Sequence, residues 1–231
     1  MTPRRIFVTG TDTGVGKTLV ATALLLNARA FGRSAVGVKP LSAGCTLVNG
    51  QFVNDDALLL QRHASVPLNY TEVNPVALEP ALAPHIAARR AGIELHAAEL
   101  AAAVTRVADQ NHDVLLAEGA GGWLTPLNDT ETMADVAVRL GYPVILVVNM
   151  RLGCLNHALL TAHAIQSAGL SLAGWVANST APTMEAFDEN LQALERRLNS
   201  LRLGTVPYLG RSVQPEQVNT WLDGTSLFGD R

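Results

Sequence analysis

Two lysines, three acidic side chains and several glycines fall at positions where they can act on a phosphorylated molecule. Lys17 and Thr18 close the stretch GTDTGVGKT, residues 10–18. Glycines here let the backbone approach an anion, a lysine brings charge to the β- and γ-phosphates, and a threonine hydroxyl can coordinate Mg²⁺. The common phosphate-loop pattern places four residues between its two glycines; this stretch, from Gly10 to Gly16, holds five. A longer variant of the loop is expected, with Thr13, Gly14, Val15, Gly16 and Thr18 around the phosphates. Lys39 stands before Pro40, where a lysine stabilises charge better than it packs. Asp55 and Asp56 precede the apolar run ALLL. One of them can cap a helix, and either can serve Mg²⁺, which takes one or two carboxylates plus substrate phosphates. Glu118 ends the apolar run VLLA and is followed by Gly119, Ala120, Gly121 and Gly122. A charge there is costly unless paired, and a metal role explains it better than an incidental strand end.

The elements that must hold these residues follow from the pattern of apolar runs. Short β-branched runs at residues 5–9, 34–39, 113–119, 143–149, 173–178 and 204–210 read as strands. Helices are expected at 17–30, 56–64, 95–108, 133–140, 157–168 and 184–201, with a proline-rich loop region between 64 and 95. Strands apolar on both faces, alternating with helices, predict a mostly parallel central sheet flanked by helices, in one α/β domain spanning residues 1–231. Ligands of such sheets bind beyond the carboxyl ends of the strands. The loop after residue 149 runs through Gly153, Cys154, Leu155 and Asn156 into a helix, whose N-terminus can accept a carboxylate. Asn178 ends the next strand and can read a base or hold a loop; Pro207 lies at the last one.

The chain has 231 residues, 48% hydrophobic and 16% charged, with net charge −3. A large core can be buried, and no basic stripe suggests nucleic acid. Two distant cysteines, Cys45 and Cys154, suit neither zinc nor a disulfide scaffold and fit a reduced, cytoplasmic protein. No apolar run reaches the roughly 18 residues of a membrane span, and no signal peptide is read at the start. His85, His96, His112 and His163 lack metal spacing; His157 is less readily assigned.

The ordered set GTDTGVGKT, KPLSAG, NDDALLLQ, PHI, EGAGGWLTPLND, RLGCLNHALLTAHAI and GWVAN resembles the dethiobiotin synthetases, from Val8 to about Gly210. The resemblance implies a P-loop NTPase-like fold and ATP- and Mg²⁺-dependent carboxylation and ring closure of 7,8-diaminopelargonate with CO₂, the penultimate step of biotin synthesis. It implies that Lys17 and Lys39 stabilise the transferring charge. Thr18, Asp56 and Glu118 would be Mg²⁺ ligands, and Gly119–Gly121, Asn178 and Pro207 nucleotide contacts. Lys39, Ser42 and Gly153–Asn156 would bind the diamine, the last segment across a homodimer interface. Asp56 is preferred to Asp55 because it directly precedes Ala-Leu. One departure stands out: the family's hydroxyl before the glycine of KPLSAG is Ala43 here, with Ser42 one place earlier. The rival reading is a partition- or division-site ATPase switch, whose signature lysine would occupy the place of Asp12.

Overall fold

Ile6, Phe7 and Val8 are buried on both faces of β1 (Arg4–Gly10), the strand on which the rest of the sheet is arranged. The computed structural model describes residues 3–210 and 212–229. After β1 come α1 (Lys17–Ala30), β2 (Ala35–Val38), β3 (Leu41–Ala43), β4 (Thr46–Val48) and β5 (Gln51–Val53). Next are α2 (Asp55–His63), α3 (Tyr70–Val73), β6 (Val76–Leu78), α4 (Pro84–Arg90), α5 (Ala97–Ala108) and β7 (Val114–Glu118). The second half comprises α6 (Met133–Leu140), β8 (Val144–Asn149), α7 (Cys154–Ser167), β9 (Leu172–Asn178), α8 (Phe187–Leu198) and β10 (Arg202–Val206), closing with α9 (Pro215–Asn219) and α10 (Thr225–Phe228).

Six strands form one sheet in the order β10-β9-β8-β1-β7-β2, and every pairing in it is parallel. The chain steps to one side of β1 for β2 and β7, then to the other for β8, β9 and β10. The direction reverses at β1, so a crevice opens beyond its carboxyl end, where the phosphate-loop sequence lies. The ladders run past the strand ends: Thr11 N–H donates to Val147 O (3.0 Å), Gly119 N–H to Val8 O (2.9 Å) and Met150 N–H to Asn178 O (2.9 Å). These bonds fix the loops against one another.

Several boundaries differ from the expectations above. The region between 64 and 95 is less loop-like than its prolines suggest: it holds α3, α4 and β6, the last paired with β3. A small hairpin joins β4 and β5 through Asn49 and Gly50, both at positive φ (50° and 80°), as a two-residue turn requires. Helix α8 is shorter than 184–201 because Ala186 (φ 53°) and Asn199 (φ 46°), both left-handed, bound it. The final strand ends at Val206, since Pro207 has no N–H to continue a ladder.

At the opposite end of the sheet from the crevice, His112 is buried with neither ring nitrogen hydrogen-bonded. Burial, with the nearby Arg5 charge, lowers its pKa to about 4. The folded protein therefore keeps His112 neutral where an unfolded chain protonates it near pH 6.5. Stability is full above that pH and falls as pH drops toward 4, by about 1–2 kcal/mol at pH 5. Thermal melts at pH 7.5 and 5 are expected to show this loss in wild type and a smaller one in His112→Phe.

Candidate active site

The loop from Gly10 to Thr18 connects β1 to α1 with little room for side chains. A Cβ on Gly10 would lie 2.5 Å from Val15 Cγ2. Gly16 has φ 88°, and a Cβ there would collide with the Asn178 amide nitrogen. Gly16 is also the N-cap of α1, with no side-chain cap, so the first-turn N–H groups are not claimed by a side chain. Such a turn favours an anion. Lys17 is buried and its Nζ donates to Asp12 O at 3.0 Å. Burial, the largest influence, brings its pKa down to about 8 despite nearby Glu118; Lys39 pushes the same way as burial.

Three other segments reach the same place. Lys39 follows β2, Asp56 lies in the first turn of α2, and Glu118 is the last residue of β7. Lys39 Nζ is 2.6 Å from Glu118 Oε1 and 3.0 Å from Asp56 Oδ2. The Thr18 hydroxyl donates to the same Glu118 Oε1 at 2.8 Å. Burial opposes the charge on Lys39, but Glu118 and Asp56 together outweigh it and hold its ammonium above the ordinary lysine value. The helix cap is neither aspartate: Asn54 Oδ1 accepts from Asp56 N–H (3.1 Å) and Ala57 N–H (3.3 Å). Asp56 is thereby left to face Lys39.

Glu118 Oε2 is buried without a hydrogen-bond partner. An orphaned carboxylate oxygen beside a threonine hydroxyl and a second carboxylate is a hard-oxygen donor set, and it fits Mg²⁺. Among the described residues no group of three or more His, Cys, Asp or Glu could hold a metal. That does not count against Mg²⁺, which takes few protein ligands when phosphates complete its shell. A cavity of about 260 Å³ is lined by Thr13, Gly14, Gly16, Lys17, Thr18, Lys39, Asp56, Glu118 and Gly121.

On the far side of Gly16 lies a second cavity of about 190 Å³, lined by Gly14, Gly16, Leu19, Asn178, Val206 and Pro207–Gly210 among others. Its walls include Leu19, Val206, Pro207, Leu209 and Val213, an apolar lining that suits a planar ring. The Asn178 amide donates to Val15 O at 2.7 Å, which orients it and turns its donor group to the phosphate loop. Tyr208, Leu209 and Gly210, read from sequence as strand, are instead loop residues of this wall. Val213 and Val218 were not anticipated, because they come from the segment beyond the last strand.

Ser42 and Gly153–Asn156 line neither cavity. The Ser42 hydroxyl is buried, donates to Asn74 Oδ1 at 2.7 Å and lies 3.1 Å from Cys45 Sγ. Gly153 (φ 93°) is the N-cap of α7, and Cys154, Leu155 and Asn156 form its first turn, three residues earlier than the expected start. Arg151, just before this turn, pairs with Asp12 of the phosphate loop at 3.2 Å; neither was singled out from sequence as a site residue. A cavity of about 400 Å³ between the phosphate loop, the loop after Gly121 and the middle of α7 is lined by Thr11, Asp12, Thr13, Trp123 and Leu160 among others. Leu124, Leu152 and Leu160 are 63%, 96% and 62% exposed.

Residues 4–216 match the AAA domain family. The chain is 50% identical over 217 residues to the ATP-dependent dethiobiotin synthetase BioD of Pseudomonas paraeruginosa (strain DSM 24068 / PA7), covering 94% of this chain and 95% of that one. To the protein of the same name from Cellvibrio japonicus (strain Ueda107) it is 48% identical over 227 residues, covering 98% and 99%. Among solved structures, the signal recognition particle receptor FtsY of Elizabethkingia anophelis aligns with TM-score 0.56 at 15% identity, over 100% of this chain and 65% of that one. Chloroplast FtsY of Physcomitrella patens aligns with TM-score 0.55 at 18% identity, over 99% and 64%. This chain thus spans just under two thirds of either, and these likenesses concern the fold, which is that of P-loop nucleotide-binding proteins. At half identity over nearly the whole of both chains, the protein belongs to the dethiobiotin synthetase family.

Proposed function

We propose that the protein is an ATP-dependent cyclo-ligase that converts 7,8-diaminopelargonate and CO₂ to dethiobiotin, with ATP cleaved to ADP and phosphate. The observation that carries this reading is the convergence of Lys17, Thr18, Lys39, Asp56 and Glu118, from four separate segments, on one small cavity. One substrate amine adds to CO₂ and loses a proton, giving a carbamate. A carbamate oxygen attacks the γ-phosphorus of ATP and ADP leaves, giving a carbamic–phosphoric mixed anhydride. The second amine attacks the carbonyl carbon, the ureido ring closes and phosphate departs.

Positioning and charge stabilisation dominate such a transfer. Lys17 and Lys39 stabilise the charge moving between carbamate and γ-phosphate. The backbone from Thr13 to Thr18 and from Gly119 to Gly121 cradles the phosphates. Asn178 and Pro207 bound the adenine. Thr18, Asp56 and Glu118 would hold Mg²⁺, which when bound offsets charge on the β- and γ-phosphates. Gly153–Asn156 offer the α7 N-terminus to the substrate carboxylate across a homodimer interface. The exposed Leu124, Leu152 and Leu160 support such an interface, since apolar side chains this open to water favour burial. With Ser42 turned inward to Asn74 and alanine at 43, the diamine is held without a serine hydroxyl from this loop. The whole chain acts as one domain, supported by six strands sharing one sheet. A cytoplasmic location fits the substrates, and among the described residues no helix is long and apolar enough to cross a membrane. The switch-ATPase reading is disfavoured by Asp12 at the signature-lysine place.

Purified protein with ATP, Mg²⁺, ¹⁴CO₂ and diaminopelargonate is expected to form a labelled product and release ADP. ATP cleavage with no label retained would sink the synthetase reading. Asp56→Asn is expected to reduce Mg²⁺-dependent turnover by at least about tenfold more than Asp55→Asn, in line with the loss of a charged metal ligand. The reverse order in steady-state rates assigns the ligand to Asp55.

A further inference from the structure

The reading of Thr18, Asp56 and Glu118 as Mg²⁺ ligands has a consequence for Lys39, and the inference that follows rests on that reading. Lys39 Nζ bridges the two carboxylates, 2.6 Å from Glu118 Oε1 and 3.0 Å from Asp56 Oδ2. Glu118 Oε1 also accepts from Thr18, so the metal-binding hydroxyl and one oxygen of each carboxylate are tied into a network centred on this lysine, while Glu118 Oε2 is left without a hydrogen-bond partner. We propose that Lys39 is the resident counter-cation of the metal-binding carboxylates, so that a divalent cation enters the site only together with nucleotide.

The argument is one of charge and space. Asp56 and Glu118 against Lys39 leave a single net negative charge, which Lys17 in the same cavity cancels, and among the described residues no third acidic side chain completes a metal group. A divalent cation held by both carboxylates would stand next to the Lys39 ammonium in a buried place, where like charges repel strongly. Nucleotide phosphates change both terms. They supply the negative charge that the protein lacks, and they offer Lys39 another anion, because Lys17, Lys39 and the phosphate-loop glycines line one cavity. The four-carbon stem of lysine lets its ammonium move between partners without moving the backbone. Lys39 is therefore held away from the reacting groups until metal and nucleotide are both in place. The same displacement that completes the metal shell delivers the lysine to the carbamate and γ-phosphate.

Mn²⁺ binding, read from the electron paramagnetic resonance signal of the free ion, tests this on the protein without nucleotide. Lys39→Met is expected to bind Mn²⁺ at least about tenfold more tightly than wild type, because the competing charge is gone. Lys39→Arg is expected to stay as weak as wild type. Equal affinity of Lys39→Met and wild type, with both folded by circular dichroism and both binding Mn²⁺ once ADP is added, overturns the proposal and leaves the metal site standing. Wild type that fails to bind Mn²⁺ even with ADP overturns the metal reading and this inference with it. If Lys39→Met does not fold, nitrogen-15 NMR of the lysine ammonium groups of the wild type decides. The Lys39 signal, assigned by its loss in Lys39→Arg, is expected to shift with Mg²⁺ plus ADP and to stay in place with ADP alone. A signal unmoved by Mg²⁺ plus ADP, or moved equally by ADP alone, overturns the proposal.

Discussion

Lys39→Met is expected to lower kcat for dethiobiotin formation by about 10²–10³-fold, the range seen when one preorganised charge-stabilising donor is removed, while metal-free ADP binding stays near wild type. The reason is positional. Lys39 comes from the end of β2, two strands away from β1, which carries the phosphate loop, and none of the hydrogen bonds that shape that loop involves it. Its loss is therefore expected to spare the cradle and, on the proposed mechanism, to remove charge where the carbamate would meet the γ-phosphate. Methionine keeps an apolar stem of similar length in a buried place, so lost packing contributes little. Single-turnover rates with saturating ATP and diamine, beside ADP titrations, separate the two effects. A variant that turns over normally removes Lys39 from the mechanism; one that loses kcat and ADP affinity together makes it a structural support of the loop.

Glu118→Ala is the second large effect, and it acts on stability as well as turnover. The substitution leaves buried Lys39 with half-exposed Asp56 as its one ionic partner among the described residues and removes the acceptor of the Thr18 hydroxyl. Breaking a buried pair from one side costs about 3–5 kcal/mol. Glu118→Gln keeps the shape and an acceptor oxygen, so its stability loss is expected to be smaller, while Mg²⁺-dependent turnover falls as far as in Glu118→Ala. Urea denaturation and steady-state rates for the two variants make the separation. Glutamine that supports near-wild-type turnover would exclude Glu118 as a metal ligand. Because Lys39 and Glu118 share one ion pair, the double variant is expected to lose less than the sum of the singles.

Much of the fold was legible because its signals are local. Helices 17–30 and 133–140 appear with the expected limits, the second closed by a capping box at Thr132 and Asp135 and by left-handed Gly141. Apolar runs with no polar face announced buried parallel strands. The segments that went unread depend on partners. Strand β3 is three residues long and exists through pairing with β6, 35 positions on. The β4–β5 hairpin carried a readable Asn49-Gly50 signal, but β4 is exposed, β5 is only partly buried, and each is too short for an apolar run to announce it. The aspartate choice shows the same division. Adjacent Asp55 and Asp56 are indistinguishable by type; the resemblance favoured Asp56 by its place directly before Ala-Leu, and the fold adds that Asp56 lies 3.0 Å from Lys39 while Asn54 takes the cap.

By itself the amino-acid order determined the phosphate loop, the alternation of strand and helix, and the list of charged groups at strand ends. Spacing, periodicity and side-chain chemistry act over a few residues, so a single stretch carries them. Tertiary structure alone decided which of those groups meet. The β2–β7–β1 adjacency brings Lys39 and Glu118, 79 positions apart, within 2.6 Å. Strand β3 turns the Ser42 hydroxyl inward to Asn74 and away from the cavity. The ion pair at Lys39 has no local signature, because it forms only when the sheet folds and burial makes an unpaired charge too costly to leave.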